Sequence, residues 1–389
     1  MDMFDNIYMI AALWIGLALA ASLISIRVGI AVALVEIFMG LIAGNFLGVQ
    51  TTNQWIDFLA AMGSLSLTFL AGSEIDPQSF KANLKASLVM GLLSFALPFI
   101  SVWMLTQHVF GWELHQAQIA GIALSTTSVA VVYSVMIEKG LSDTSVGKLI
   151  LAACFVTDLG TVLALGVLFA NFNMWMLLFV AAMAAAVFVM PRLIKIVAEK
   201  YGSNKVSEPG IKLILLILLL LAGLAAAVGS EAVLPAYIMG LAAAEVFMNN
   251  KVLVNRIRTM AFTVFTPFYF IKAGLYVSLK VLLASLGVIV VLLLLKVFSK
   301  IVGVWPVSRA AKLSIKLSNY TTLLMSTGLT FGSISALYGL NNHIINQDQY
   351  TILVTVVILS AVVPTLIAQT FFEPSFEEMN TCHIQINNI

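Results

Sequence analysis

Charge is what this chain has least of. Only 10% of its 389 residues are Asp, Glu, Lys or Arg, whereas a soluble protein carries about 25%, so an ordinary water-soluble domain is excluded. The 20 basic and 18 acidic residues nearly cancel to a formal +2. With no basic tract, nothing argues for a nucleic-acid partner. Cysteine is nearly absent as well: Cys154 and Cys382 are far apart in sequence and make neither a disulfide framework nor a metal set. The four histidines, His108, His115, His343 and His383, fall in loops or the tail, too scattered for a metal site. No glycine-rich phosphate loop, nucleophile elbow or zinc motif is present, so no cofactor is implied and the pattern argues against an enzyme. The start, Met1-Asp-Met-Phe-Asp-Asn, lacks the positive region of a cleavable leader, and the first apolar run reads as a retained span.

What the chain has in quantity is apolar sequence, 61% of all residues, with a mean hydropathy of +1.04. About 20 apolar residues cross the hydrocarbon core of a bilayer. On that measure the sequence predicts an all-α integral membrane protein with thirteen transmembrane helices, roughly 7–26, 29–49, 56–74, 84–109, 117–138, 145–171, 173–198, 211–229, 231–248, 259–278, 281–304, 316–339 and 350–372. Loop charge supports the count. Alternate connections, with adjoining span edges, hold Arg27; Lys81 and Lys85; Lys139 and Lys148; Arg192, Lys195, Lys200, Lys205 and Lys212; Lys251, Arg256 and Arg258; and Arg309, Lys312 and Lys316. That is 16 of the 20 basic residues. The other connections hold almost none beyond Lys280. The positive-inside rule then places the N-terminus outside and the C-terminus in the cytoplasm of a cell inner (plasma) membrane protein. The longest polar break in the middle of the chain is 200–210. If the first span is an extra helix and the seventh a linker, the rest fit two five-span halves of opposite topology, the common build of secondary transporters.

Within this apolar background a few polar residues stand out. Asp158 lies in the middle of the sixth span. A carboxylate at that depth costs roughly 3 kcal/mol or more, and such a group is usually kept because an ion or a proton needs it. The alternative is a structural acid paired with a lysine. Its neighbour Thr157 offers a hydroxyl to a dehydrated cation or merely caps a local backbone group. Two spans are interrupted by hydroxyl and glycine residues, at 125–128 (Ser125, Thr126, Thr127, Ser128) and at 326–333, with Gly328, Thr330 and Gly332. Ser and Thr compete for backbone hydrogen bonds and Gly weakens a helix, so both places can unwind. Small residues also serve close helix packing, but the matching places of the two stretches favour unwinding. Lys300 lies in the eleventh span, with Lys296 one turn earlier and able to share its face. Near a span end such a lysine can instead snorkel to the interface, Lys300 more easily than Lys296. Lys272 is a further buried cation, read as tying helix ends together. Glu36, Glu74 and Glu245 lie toward span ends as interfacial candidates.

In these residues the chain resembles the bacterial monovalent cation/proton antiporters, with NapA-like exchangers and the membrane half of KefC-like potassium systems. The resemblance covers nearly the whole chain. It is carried by Phe69-Leu-Ala-Gly-Ser-Glu74, Thr127-Ser128, Thr157-Asp158, Pro267-Phe-Tyr-Phe-Ile-Lys-Ala-Gly274 and Lys300-Ile-Val-Gly303 in that order. It implies an inverted-repeat transporter of NhaA-like fold, with two crossed broken helices beside the ion site, assembled as a homodimer. The corresponding division is 1–50 and 205–280 as dimerisation-domain helices, 51–171 and 281–372 as the two halves of an ion-transport core, 172–204 as a linker helix, and 373–389 as a short cytoplasmic tail. Asp158 matches the family's ion-binding aspartate, Thr127 and Ser128 the broken-helix residues beside it, and Lys300 the basic residue of the facing half. Two departures stand out: electrogenic members carry two adjacent acids where this chain has Thr157-Asp158, and the second break lacks the Arg and Glu of NapA-like members.

Taken together these residues predict a secondary antiporter that exchanges Na⁺ or K⁺ for H⁺ across the lipid bilayer. Cation and proton compete for Asp158, and Thr126, Thr127, Ser128 and Thr157 complete the oxygen shell. Lys300, Lys296, Lys272 and Glu74 supply supporting charge. With one acid the simplest exchange is electroneutral; a proton taken and lost by Lys300 would change that. Two other classes remain open at this stage, a gated cation channel and an organic-anion symporter using a similar core.

Overall fold

The computed structural model describes all residues except 1–5, 29–30, 48, 50–52, 74–83, 139–140, 142–143, 170–173, 202–207, 228–231, 376–377 and 379–389. Glu74, Lys81, Lys139, Lys205 and most of the tail lie outside the described residues. The described residues are all-helical. In chain order the helices are Ile7–Val28, Val32–Phe46, Gln54–Ser73, Leu84–His108, the pair Leu114–Ser125 and Val129–Glu138, Ser145–Leu168, Met174–Tyr201, Pro209–Ala227, Val233–Asn249, Lys251–Met260, Thr266–Leu275, Leu279–Ala284, Leu286–Ala310, the pair Ile315–Met325 and Thr330–Asn341, and Gln347–Phe371. Among the described residues nine helical stretches are long and apolar enough to cross a membrane, and Val32–Phe46 and Leu234–Asn249 are shorter apolar helices.

The helices form because their apolar runs satisfy every internal backbone group, which lipid cannot do for them. Their ends are set by polar residues. Asn346 accepts from Gln349 N at 2.9 Å while Gln349 reaches back to Asn346 N at 3.0 Å, a capping box that starts Gln347–Phe371. A second box, Glu113 with Gln116, starts Leu114–Ser125. The two boxes are joined, since Gln349 Nε2 donates to Gln116 Oε1 at 2.9 Å.

One stretch differs from expectation. Residues 249–258, read from their charges as a connection, are largely helical: Lys251–Met260 continues through a π-helical turn, Ala261–Phe265, into Thr266–Leu275. Asn250 caps Leu253 N at 3.2 Å, and Leu253 and Ile257, one turn apart, are buried. The charges sit on an amphipathic helix rather than breaking one.

Two compact units divide the chain: Met1–Thr51, Ser79–Thr161 and Phe270–Ile389 form one, and Thr52–Gln78 and Val162–Tyr269 the other. In the smaller unit Gln54–Ser73 packs on Val233–Asn249 through Gly72 and Gly240, where a Cβ on either would run into the facing backbone. Phe69, Met190, Leu218, Met239 and Phe247 fill the core beside them.

In the larger unit Met90, Val132, Met136, Ile150, Cys154, Tyr320, Leu324 and Met325 form a core. Gly91 and Gly160 let Leu84–His108 lie close to Ser145–Leu168, against Val156 and Phe95 respectively. Gly40 and Gly274 do the same for Val32–Phe46 and Thr266–Leu275. Glu36, expected near an interface, is instead buried at 2% exposure. Gly40, one turn further on, packs against the backbone of Ile271, which places that face of the helix inside the unit.

Candidate functional site

Both interrupted spans are interrupted in the structure, and the breaks touch. Leu114–Ser125 ends where Thr126 turns extended, with φ −61° and ψ 155°. The cause is local: Ser125 Oγ donates to Ile122 O at 2.9 Å and Thr126 Oγ1 to Ala123 O at 3.2 Å, so side chains take up carbonyls that the next turn would have used. Ser128 Oγ then accepts from Val131 N at 3.3 Å and starts Val129–Glu138. At the second break Ser326 Oγ donates to Thr322 O and Thr327 Oγ1 to Leu324 O, at 2.7 and 2.8 Å. Helix resumes at Thr330.

The breaks are stitched to each other. Thr127 Oγ1 donates to Met325 O at 2.9 Å, and Ser128 N donates to Thr327 O at 3.2 Å. Gly332 makes this approach possible, because a Cβ there would stand 2.8 Å from Ala123 O and 3.1 Å from Thr126 Oγ1. Thr126, Thr127 and Ser128 are all buried, and Thr330 is half-buried.

Two lysines of Leu286–Ala310 serve the two breaks. Lys300 Nζ donates to Ser125 O at 2.7 Å, Ser94 Oγ at 2.8 Å and Thr127 Oγ1 at 2.9 Å. Lys296 Nζ donates to Ser360 Oγ at 2.9 Å and lies against Gly328. Neither lysine is exposed. Snorkelling is therefore ruled out for Lys300 in this conformation: its helix continues to Ala310, well past the span end expected at 304.

Asp158, on Ser145–Leu168, is 2% exposed, and among the described residues nothing donates to its Oδ1. No ion pair joins it to Lys300 among the described residues, so the reading of Asp158 as one half of a fixed lysine bridge does not describe this conformation. Cys154, one turn before Asp158, rests against the Met325 sulfur at 3.3 Å. Thr157 Oγ1 donates to Ala153 O at 3.0 Å and Gly91 O at 3.2 Å. Its proton is committed to backbone, which leaves only lone pairs for a ligand. Among the described residues Asp158 thus keeps one buried carboxylate oxygen without a donor, one helical turn from Cys154, whose sulfur rests against Met325 at the end of a half-helix.

A profile of the family described as "Sodium/hydrogen exchanger, transmembrane" matches residues 14–373. The chain belongs to the sodium/hydrogen exchanger family. It is 27% identical over 366 residues to a Na⁺/H⁺ antiporter of Enterococcus hirae, covering 90% of this chain and 93% of that one. It is 24% identical over 377 residues to the Na⁺/H⁺-K⁺ antiporter GerN of Bacillus cereus, covering 95% and 97%. The solved structure of the sodium proton antiporter MjNhaP1 of Methanocaldococcus jannaschii at pH 8 superposes with a TM-score of 0.70 at 17% identity, over 94% of this chain and 100% of that one. That likeness shows a shared fold. The exchanger is thus a multi-pass membrane protein whose relatives are transporters.

Of the residues singled out from sequence, the exchanger gathers Thr126, Thr127, Ser128, Lys296, Lys300, Gly328 and Gly332 around the paired breaks. Lys272 is buried on Thr266–Leu275, a helix tied to Gln347–Phe371 by the Tyr350 hydroxyl on Ala273 O at 2.7 Å. Sequence reasoning missed Ser94 and Ser360. Each is a single serine with apolar neighbours on both sides, and each accepts from one of the lysines.

Proposed function

We propose that this exchanger moves Na⁺ against H⁺ by alternating access, with cation and proton taking turns on Asp158. The observation that carries the reading is the Asp158 carboxylate itself, 2% exposed and with an oxygen that accepts nothing from the described residues. A single carboxylate that holds either partner, never both, is an exchanger without further machinery. Thr126, Thr127, Ser128 and Thr157 contribute oxygens around the dehydrated ion. Lys300 holds the first break in place, Gly328, Thr330 and Gly332 shape the second, and Lys272 and Glu74 act as supporting charge.

One acid gives one proton per cation, hence an electroneutral cycle. The three acceptors on Lys300 favour this, since a fully bonded ammonium has little reason to release a proton each turn. Proteoliposome flux under an imposed potential tests it; a strongly voltage-dependent rate rejects electroneutral exchange.

The wider plan is proposed on the count and orientation of the spans: thirteen helices, an inverted repeat, core halves at 51–171 and 281–372, dimerisation helices at 1–50 and 205–280, and a homodimer in the inner membrane with the C-terminus in the cytoplasm. K⁺ is the second reading for the cation, favoured by the similarity to GerN, a Na⁺/H⁺-K⁺ antiporter. Dye-monitored proton release from vesicles on addition of Na⁺, K⁺ or Li⁺ tests the function and separates the two. No release with any of them rejects both.

A further inference from the structure

Each interrupted span carries one lysine of Leu286–Ala310 beside the C-terminal end of its first half. Lys300 bonds Ser125 O, the last residue of Leu114–Ser125. Lys296 lies against Gly328, three residues past the end of Ile315–Met325. A helix C-terminus carries a partial negative charge that a cation offsets, and the second break has no arginine or acid of its own. Among the described residues the two ammonium groups differ in one respect: Lys300 has three acceptors, whereas Lys296 has one, Ser360 Oγ. Ser360 in turn donates to Val357 O at 2.8 Å, with Gly328 O further off at 3.5 Å.

Lys296 also stands beside the ion site. The point where a Cβ of Gly328 would lie touches Lys296 Nζ, Thr126 Oγ1 at 2.8 Å and Ser360 Oγ at 3.3 Å. The hydroxyl of Thr126 and the ammonium of Lys296 thus flank a single glycine. No carboxylate pairs with Lys296 among the described residues; the charge that faces it is Lys300, one turn along the same helix. Its positive charge is only partly spent within the protein, in a low-dielectric site where Coulomb energies are several times those in water.

From this geometry we infer that Lys296 sets the cation affinity of the exchanger: it is a positioning residue whose charge weakens Na⁺ binding and thereby speeds release. The inference rests on the proposed ion site at Asp158. A cation held only by hydroxyls, carbonyls and one carboxylate risks being held too long to turn over; a positive charge across Gly328 shortens its stay without touching it.

Na⁺-dependent proton flux in proteoliposomes, taken across a Na⁺ series at fixed pH, tests the inference. Lys296→Met keeps the bulk and removes the charge. The expected result is a half-saturating Na⁺ about tenfold lower, equivalent to about 1.4 kcal/mol of tighter binding, with a reduced maximal rate. Lys296→Arg keeps the charge and restores the wild-type half-saturation. Ser360→Asp, which neutralises the lysine in place, shifts affinity the same way as Lys296→Met and serves if that variant does not fold. Half-saturation unchanged or raised in whichever of Lys296→Met and Ser360→Asp folds overturns the inference, because a purely structural lysine would lower stability and rate together without tightening Na⁺. Absence of wild-type flux, by contrast, would sink the ion-site reading itself.

Discussion

Lys300 Nζ lies 2.7 Å from the carbonyl oxygen of Ser125, the last residue of the Leu114–Ser125 half-helix. The lysine therefore caps a broken helix, where a fixed bridge to Asp158 was the alternative. A buried ammonium is costly unless hydrogen-bonded, and here its cost is offset by satisfying an orphan carbonyl at a helix C-terminus. The consequence is that the ammonium is anchored at the broken helix while Asp158 Oδ1 has no donor among the described residues.

Lys300→Met is predicted to destabilise the protein by about 2–3 kcal/mol, the scale of a charged hydrogen bond lost at a buried acceptor. Unfolding in mixed detergent micelles checks this. A variant as stable as wild type would mean that the Ser125 carbonyl finds another donor.

Thr127 accepts from Lys300 and donates to Met325 O, both at 2.9 Å. Among the described residues it is the one side chain that links the lysine to both breaks. Thr127→Val keeps the shape and removes both bonds, and exchange is expected to slow at least about tenfold, on the basis that two buried partners lose about 1 kcal/mol or more each. Thr127→Ser keeps the hydroxyl and is expected to stay within about threefold of wild type, with the loss of one methyl group as its main cost.

Gly332 is required by close approach. A side chain there meets Ala123 O and Val357 Cγ2, each 2.8 Å from the Cβ position. Gly332→Leu is predicted to cost more than the about 1–3 kcal/mol usual for overpacking, because one obstacle is backbone. Size-exclusion profiles in detergent should show little monodisperse protein, while Ser333→Ala, next along the chain, should behave normally.

The proposed competition for Asp158 fixes the sign of the pH dependence it predicts. Protons occupy Asp158 increasingly as pH falls, so the half-saturating Na⁺ rises on acidification, by up to about tenfold per pH unit in the limit of simple competition. The maximal rate at saturating Na⁺ should change much less over the same range. Half-saturation independent of pH would exclude a shared site.

Much of this site is legible in the sequence because polarity is scarce there. Asp158, the hydroxyl runs at 125–128 and 326–333, and Lys296 and Lys300 are conspicuous against apolar neighbours, and the structure gathers the breaks and the lysines. Ser94 and Ser360 were not legible, since a single serine in an apolar helix usually bonds its own i−4 carbonyl. Only the fold shows which lysine each one meets. The end of the Lys300 helix was placed too early, near 304, because hydropathy fades there while the helix runs on through Pro306 to Ala310. Glu36 looked interfacial because it lies toward an end of its span, but Gly40 one turn later draws that face into the larger unit. Residues 249–258 looked like a loop because charge density was read without its helical period, which Leu253 and Ile257 reveal.

Asp158→Asn keeps the shape of the side chain and removes its titration, and proton release from vesicles on adding Na⁺, K⁺ or Li⁺, compared with wild type at equal folded protein, is the most direct measurement. The account predicts that the wild type releases protons and the variant releases none with any of the three ions. Undiminished cation-driven release from the asparagine variant would contradict it.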